Sequence, residues 1–272
     1  METFTIIGAR GYIGSRLSRS LRDAGADVHA VDRYDPEAMA DRALGHVVFA
    51  AGVTADFRAR PFDTVEAHVS AVSQVLQQAT FQSFLYLSST RVYLGAASTR
   101  EDENLIVRPG DPQHLYNASK IAGEALCLVQ PNEAVRVARL SNVYGADDPS
   151  GNFLIDVLRA AVTEGRIHLR TSPESAKDFV SIADIVSLIP RIARSARHRI
   201  YNLASGRNTR YAEIVDALAR RTGCTVSTEP GSPVVSFSEI DIRRVSDEFS
   251  FVPAHLTDEI AGLAEALAKQ RA

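Results

Sequence analysis

The tightest constraint on this chain is at its N-terminal end, where the apolar run Phe4 to Ile7 stops at Gly8-Ala-Arg-Gly11-Tyr-Ile-Gly14. A short β-branched apolar run reads as a strand buried on both faces. The residues that follow, to Ala24, place Ile13, Leu17 and Leu21 at helical spacing. Glycines three apart at a strand-to-helix turn let the chain reverse sharply, let an anion approach the backbone, and let the helix pack close to the strand. The helix start adds unpaired N–H groups and the positive end of its dipole. A second strand, Asp27 to Val31, then ends at the acidic Asp32. A glycine triplet alone says little. Strand, glycine loop, helix and acidic strand end in this order form the arrangement that holds a dinucleotide, which makes a purely structural turn the weaker reading.

The same alternation continues. HVVFAA at 46–51, FLYLS at 84–88 and AVRVARL at 134–140 read as further strands, the last opening into the loop SNVYG. Between them, Thr64 to Ala79 places Val65, Val69, Val72 and Leu76 on one face, and Leu115 to Val129 groups Ile121, Ala122, Ala125 and Val129. Strands alternating with helices predict βαβ units, hence an α/β fold with a doubly wound parallel sheet. Beyond about Gly145 the pattern loosens. Helices are expected at 153–163, 184–194 and 211–221, strands at 179–182 and 200–203, and a last helix N-capped by Thr257. We therefore expect a dinucleotide-binding core over 1–148, to which 179–203 contributes, and a smaller C-terminal α/β lobe over 149–272 that binds substrate.

Charge and composition narrow the partners. A net charge of -3 argues against a nucleic-acid binder. Cys127 and Cys224 make neither a disulfide framework nor a metal-ligand cluster, so no metal is expected and a reducing, cytoplasmic setting is. No apolar run is long enough to cross a bilayer, and the N-terminus reads as entering a strand directly, so no secretory signal is expected. Cofactor choice is pulled both ways. Asp32 can accept hydrogen bonds from an adenosine ribose and would repel a 2′-phosphate, favouring NAD. Arg10 and Arg33 flank the same place, and two guanidiniums suit a 2′-phosphate, which tips the reading towards NADP.

The chemistry is carried by Tyr116-Asn-Ala-Ser-Lys120 at the start of a helix. Residues four apart share a helix face. A tyrosine hydroxyl is a poor base at neutral pH, but a nearby ammonium stabilises the phenolate and lowers its pKa. The pair can then exchange a proton with a carbinol oxygen while a hydride moves to or from a nicotinamide. Ser88-Ser89-Thr90-Arg91-Val92-Tyr93 follows a buried strand, and the carboxyl ends of parallel strands are where such folds place their ligands. Each signal alone is common, since Y-x-x-x-K also occurs on ordinary amphipathic helices and a serine run is often a turn. Their order in this chain is what makes those readings poor.

With these residues in place, the chain resembles the extended short-chain dehydrogenase/reductases, the nucleotide-sugar epimerase, dehydratase and reductase group with a Rossmann fold. GARGYIG is similar to the family's cofactor loop, VVFAAG to its fourth strand, SSTRVY to its catalytic-serine strand, YNASK to its Tyr/Lys helix, and RLSNVYG to its substrate-loop entry. KDFVSIADI and IYNLASG resemble later landmarks. The resemblance implies Ser89, Tyr116 and Lys120 as catalytic residues. It implies cofactor contacts from Gly8, Arg10, Gly11, Tyr12, Ile13 and Gly14, from Asp32 and Arg33, from Ala50, Ala51 and Gly52, and from Tyr116 and Lys120. Thr90, Arg91, Asn142 and Lys177 would touch the nucleotide-sugar substrate, Lys177 where an arginine often meets the diphosphate. It also implies a homodimer paired through helices 64–79 and 115–129, where Ala71, Val72, Ala118 and Ala122 suit close approach.

The departures carry information. The stretch between Asp32 and the strand at 46–51 is short, so a strand usual in the family is expected to be missing or shrunken. Family dehydratases resemble one another in an Asp-Glu pair after the catalytic hydroxyl, where this chain has Thr90 and Arg91. His68 replaces a common asparagine and reads more readily as packing than as a catalyst. Glu229-Pro-Gly-Ser232 stands where Arg-Pro-Gly-Asp is frequent, leaving Arg207, Arg210, Arg243 or Arg244 as candidate substitutes. The leading expectation is an NAD(P)-dependent 4-ketosugar reductase. A nucleotide-sugar 4-epimerase is the alternative with the same residues, and a non-catalytic dinucleotide sensor the alternative of another class.

Overall fold

The computed structural model describes residues 1–39, 42–54, 56–148 and 151–269. Strands β1 (Thr3–Ile7), β2 (Asp27–Val31), β3 (His46–Phe49), β4 (Ser83–Ser89) and β5 (Val135–Leu140) join a later strand, β9 (Ile200–Leu203), in one parallel sheet of order β2-β1-β3-β4-β5-β9. Among the described residues nothing pairs beyond β2 in this sheet, so the strand expected to be missing or shrunken is not formed there. Among the described residues only a one-turn helix, α2 (Pro36–Met39), lies between β2 and β3.

One face is covered by α1 (Tyr12–Asp23) and α7 (Ile182–Ser195), whose Leu17, Leu21, Ile185, Leu188 and Ile192 bury against β1, β4 and β5. On the other face lie α3 (Pro61–Val65), α4 (Ala71–Gln78) and α5 (His114–Leu128). The helix expected from Thr64 begins earlier, because Pro61 opens its first turn, and a π-helical turn, Glu66–Ser70, interrupts it. Val72 lies in the core at 0% exposure, which corrects its assignment to a contact between subunits.

Between β5 and α7 come β6 (Asn142–Tyr144), α6 (Phe153–Arg159), β7 (Arg166–Leu169) and β8 (Ala176–Ser181). After β9 come β10 (Asn208–Arg210), α8 (Tyr211–Thr222), β11 (Thr225–Thr228), α9 (Arg243–Phe249) and α10 (Leu256–Lys269). Three of the short strands form the sheet β10-β8-β6, two more the pair β11-β7. A second core, with Leu154, Leu158, Tyr211, Ile214, Leu218 and Ile260, sits here. Residues 142–144, expected as loop, form β6 because β8 pairs alongside them. The last helix starts at Leu256, one residue before the expected cap at Thr257. In α9, Val245 and Phe249 pack into the first core, so this part of the C-terminal segment returns to the sheet. Residues 149 and 150, where the second lobe is expected to begin, lie outside the described residues. Among the described residues no helix is long and apolar enough to cross a membrane.

Candidate active site

The glycine loop is shaped by what cannot fit in it. Gly8 has a φ of +89°, and a Cβ there would lie 2.5 Å from the Ala51 nitrogen. A Cβ on Gly14 would overlap the Gly8 carbonyl oxygen. Helix α1 therefore starts directly against β1, with Gly11 as an N-cap that offers no side-chain acceptor and no acidic residue in the first turn. The N–H groups around Tyr12, Ile13 and Gly14 stand open to an anion, which fits a pyrophosphate. At the end of β2, Asp32 accepts from the Arg10 backbone N–H (3.1 Å) and pairs with the Arg10 guanidinium. Arg33 is exposed and makes no ion pair among the described residues. Gly52 follows β3 after Ala50 and Ala51, and a Cβ there would press on His68 (2.9 Å) and reach the Lys120 ammonium (3.5 Å).

Ser89, Thr90, Arg91, Tyr116, Asn142 and Lys177 line one cleft, although they come from β4, its following 3-10 turn (Thr90–Tyr93), α5, β6 and β8. Phe57, Thr99, Ser141, Asp178, Asn208 and Phe237 complete much of the wall. Tyr116 is almost fully buried. Burial raises its pKa, while a hydrogen bond with Ser89 and then the charge of Arg91 act to lower it. Burial wins, contrary to the expectation that Lys120 would bring the hydroxyl down. The Lys120 ammonium instead donates to the Leu87 carbonyl (2.9 Å) and lies 4.9 Å from the Tyr86 ring centroid. Burial lowers its own pKa to about 7, opposed by Glu124.

His68, in the π-helical turn, is fully buried between two parts of the site. Its Nε2 accepts from the Val53 N–H (3.3 Å). Its Nδ1 is 2.9 Å from the Ser119 hydroxyl, which itself donates to the Tyr116 carbonyl (2.9 Å). These bonds assign the proton to Nδ1. The imidazole is held neutral, its pKa lowered to about 2 by burial and then by the Lys120 charge. The ring meets Tyr116 edge-on, 5.3 Å between centroids.

Asp178 is the one carboxylate lining the cleft among the described residues, and its oxygens are committed. Ser141 Oγ and the Ser205 N–H donate to Oδ1 (2.5 and 2.9 Å), and Ser205 Oγ donates to Oδ2 (2.9 Å). Asn142 Nδ2 donates to the Asp178 carbonyl (2.8 Å). The four arginines considered as substitutes for a phosphate contact are each engaged elsewhere. Arg207 and Arg210 pair with Glu213, Arg243 with Asp241, and Arg244 with Glu101, and none lines the cleft.

Beneath the cleft runs a buried network that the sequence reading missed. Glu124, one turn after Lys120, receives Arg139 through Nη2 (2.6 Å) and Ser88 Oγ (2.5 Å). Arg139 Nη1 donates to the Tyr93 hydroxyl (2.7 Å), which donates to Asn202 (2.8 Å). Burial works against the charge of Arg139, yet its bonds to Glu124 carry its pKa upwards. The i, i+4 placement of Glu124 after Lys120 was a signal, but its partner lies in β5, far along the chain.

Comparison with known proteins agrees with this architecture. A model of the NAD dependent epimerase/dehydratase family matches residues 4–204. The chain is similar to a dTDP-4-dehydro-6-deoxy-D-allose reductase of Streptomyces bikiniensis, 23% identical over 302 residues that cover 94% of this chain and 93% of the relative. Among solved structures it is similar to MoeE5 in complex with UDP-glucose and NAD (TM-score 0.81, 21% identity, 99% and 100% of the two chains covered). It is similar also to RMD from Pseudomonas aeruginosa complexed with NADPH (TM-score 0.80, 20% identity, 99% and 98% covered). The structural likeness shows the Rossmann fold, and the family match, which spans most of the chain and both the glycine loop and the Tyr/Lys helix, shows that the protein belongs to the NAD-dependent epimerase/dehydratase family.

Proposed function

We propose that this enzyme is a 4-ketosugar reductase, which reduces the C4 carbonyl of a nucleotide-activated hexose with NAD(P)H. The observation that carries the reading is the acid-base content of the cleft. Beside Ser89 and Tyr116 stand Thr90 and Arg91, and Asp178, the one lining carboxylate among the described residues, already accepts three hydrogen bonds from Ser141 and Ser205. Elimination of water needs a base and an acid. A hydroxyl and a guanidinium supply neither at neutral pH. Carbonyl reduction needs only one proton donor at the oxygen, which Tyr116 can be. The curated relative named as a reductase supports the same direction.

The residues divide the work as follows. The backbone at 8–14 holds the pyrophosphate, Asp32 and Arg33 face the adenosine ribose, and Ala50 to Gly52 border the nicotinamide half. The dinucleotide, when bound, supplies a hydride to the carbonyl carbon. Tyr116 passes its proton to the carbonyl oxygen and Ser89 holds that oxygen by a hydrogen bond. Lys120 restores the proton of Tyr116 and anchors the nicotinamide ribose. Asn142 and Lys177 meet the substrate, the ammonium at its diphosphate. Because Arg10 and Asp32 neutralise each other, the exposed Arg33 tips the preference to NADP(H). Phe62, Val65 and Val129, exposed on or beside the helices that flank the site, support a homodimer through that face. The two buried free thiols suit a cytoplasmic location.

Incubation with NADPH and a dTDP-4-keto-6-deoxyhexose tests the reading. One cofactor oxidised per ketosugar consumed is expected. Redox-neutral turnover with retained cofactor would make the enzyme a 4-epimerase, and a 4-keto-6-deoxy product from nucleotide hexoses would contradict the assignment by showing dehydration.

A further inference from the structure

We infer that Arg91 is a positioning residue for proton transfer at Tyr116, its guanidinium supplying a positive charge, beside that of Lys120, that favours the phenolate. This rests on the reading of Tyr116 as the proton donor. The geometry places the charge on the catalytic helix itself. Arg91 Nε donates to Asn117 Oδ1 (3.2 Å) and Nη2 to Gln113 Oε1 (2.9 Å), so two residues of or next to α5 carry the guanidinium. Its Cζ lies 6.0 Å from the Tyr116 ring centroid and 5.6 Å from that of Phe57. The Arg91 backbone N–H also donates to Ser89 Oγ (3.2 Å), fixing one lone pair of the hydroxyl that lines the cleft with Tyr116. Among the described residues no carboxylate pairs with Arg91, whose bound acceptors are neutral.

The other groups facing Tyr116 leave this role open to Arg91. His68, from the π-helical turn, is neutral throughout the working range. Tyr86, from β4, is buried and pushed well above its ordinary value. Lys120, from the same helix, turns its ammonium to the Leu87 carbonyl and the face of the Tyr86 ring. The Arg91 guanidinium stays charged at any pH at which a tyrosine ionises. Arg58 and Lys177 add positive charge around Arg91, and the Asp111 carboxylate acts on it with the opposite sign. An opposite charge within about 4–6 Å shifts a pKa by about one unit or more.

The experiment is an ultraviolet titration of tyrosinate, taken as wild type minus Tyr116→Phe, repeated in the Arg91→Gln and Arg91→Lys backgrounds. The Tyr116 transition is expected to move up by about one pH unit in Arg91→Gln, a tenfold loss of phenolate below it, and to return most of the way in Arg91→Lys. The pH limb of kcat for NADPH-dependent reduction of a dTDP-4-keto-6-deoxyhexose should move with it, with KM nearly unchanged. An unmoved transition overturns the inference, as does a raised KM with an unmoved limb, which would make Arg91 a substrate anchor. If Arg91→Gln does not fold, Gln113→Ala, which loosens the guanidinium, should give a smaller shift of the same sign, and no shift there also overturns it. A shifted titration in a protein that does not reduce the ketosugar would fault the proposed reaction and leave the role of Arg91 standing.

Discussion

The loop at 8–14 and the cleft beside Tyr116 meet at one site but are made of different material. The loop works through backbone: Gly8 and Gly14 leave out the Cβ atoms that would strike Ala51 and the Gly8 carbonyl, and the open N–H groups follow from that. The cleft works through side chains brought from distant parts of the chain, among them Ser89, Arg91, Tyr116 and Lys177. A backbone site is specified by a few adjacent residues and tolerates change around it. A side-chain site depends on every element that aims a group into it, and on buried charges underneath that must all be satisfied.

This difference can be broken first at Tyr116. Tyr116→Phe should reduce turnover by about a thousandfold, the scale of one positioned proton donor. Dinucleotide affinity, measured by calorimetry, should stay within about twofold, because the loop holds the cofactor through groups the substitution does not touch. A large loss of affinity would show that the two sides are not separable.

The next largest effect is expected beneath the cleft. Glu124→Ala strands Arg139 at 3% side-chain exposure and should cost about 3–5 kcal/mol in chemical denaturation. Replacing Glu124 and Arg139 together by Leu and Met should cost much less, since no buried charge is then left unpaired. Equal losses in the single and double variants would show that packing, not charge, supports the cleft.

A smaller effect is expected on the loop side. Replacing Arg10 and Arg33 by uncharged residues should weaken NADPH much more than NADH, by about 1.5–3 kcal/mol for each charge-assisted bond lost. Tighter binding of NADH by the wild type would show that Asp32 governs the choice.

What the sequence made legible follows the same division. Gly8, Gly11, Gly14 and Asp32 are close in the chain, so their spacing alone predicts the turn, the helix start and the acidic strand end. The shortened stretch before β3 likewise predicts a sheet that ends at β2. Tyr116 and Lys120 share a helix turn and could be paired from spacing, but the direction of the Tyr116 pKa could not, because it depends on burial and on residues brought in from other elements, such as Arg91. The commitment of Asp178 to Ser141 and Ser205, the pairing of Glu124 with Arg139, and the neutral state of His68 all join residues from separate elements. No local pattern encodes those contacts. The π-helical turn that presents His68 was hidden for another reason: its residues fit ordinary helical spacing.

Isotope transfer shows where the hydride goes. NADPH carrying deuterium at the transferring position of the nicotinamide should be incubated with a dTDP-4-keto-6-deoxyhexose and the sugar analysed by mass spectrometry and NMR. One deuterium is expected at C4 of the product for each NADPH oxidised, in wild type and, far more slowly, in Tyr116→Phe. Product that forms without deuterium at C4, while the cofactor stays reduced, would contradict this transfer.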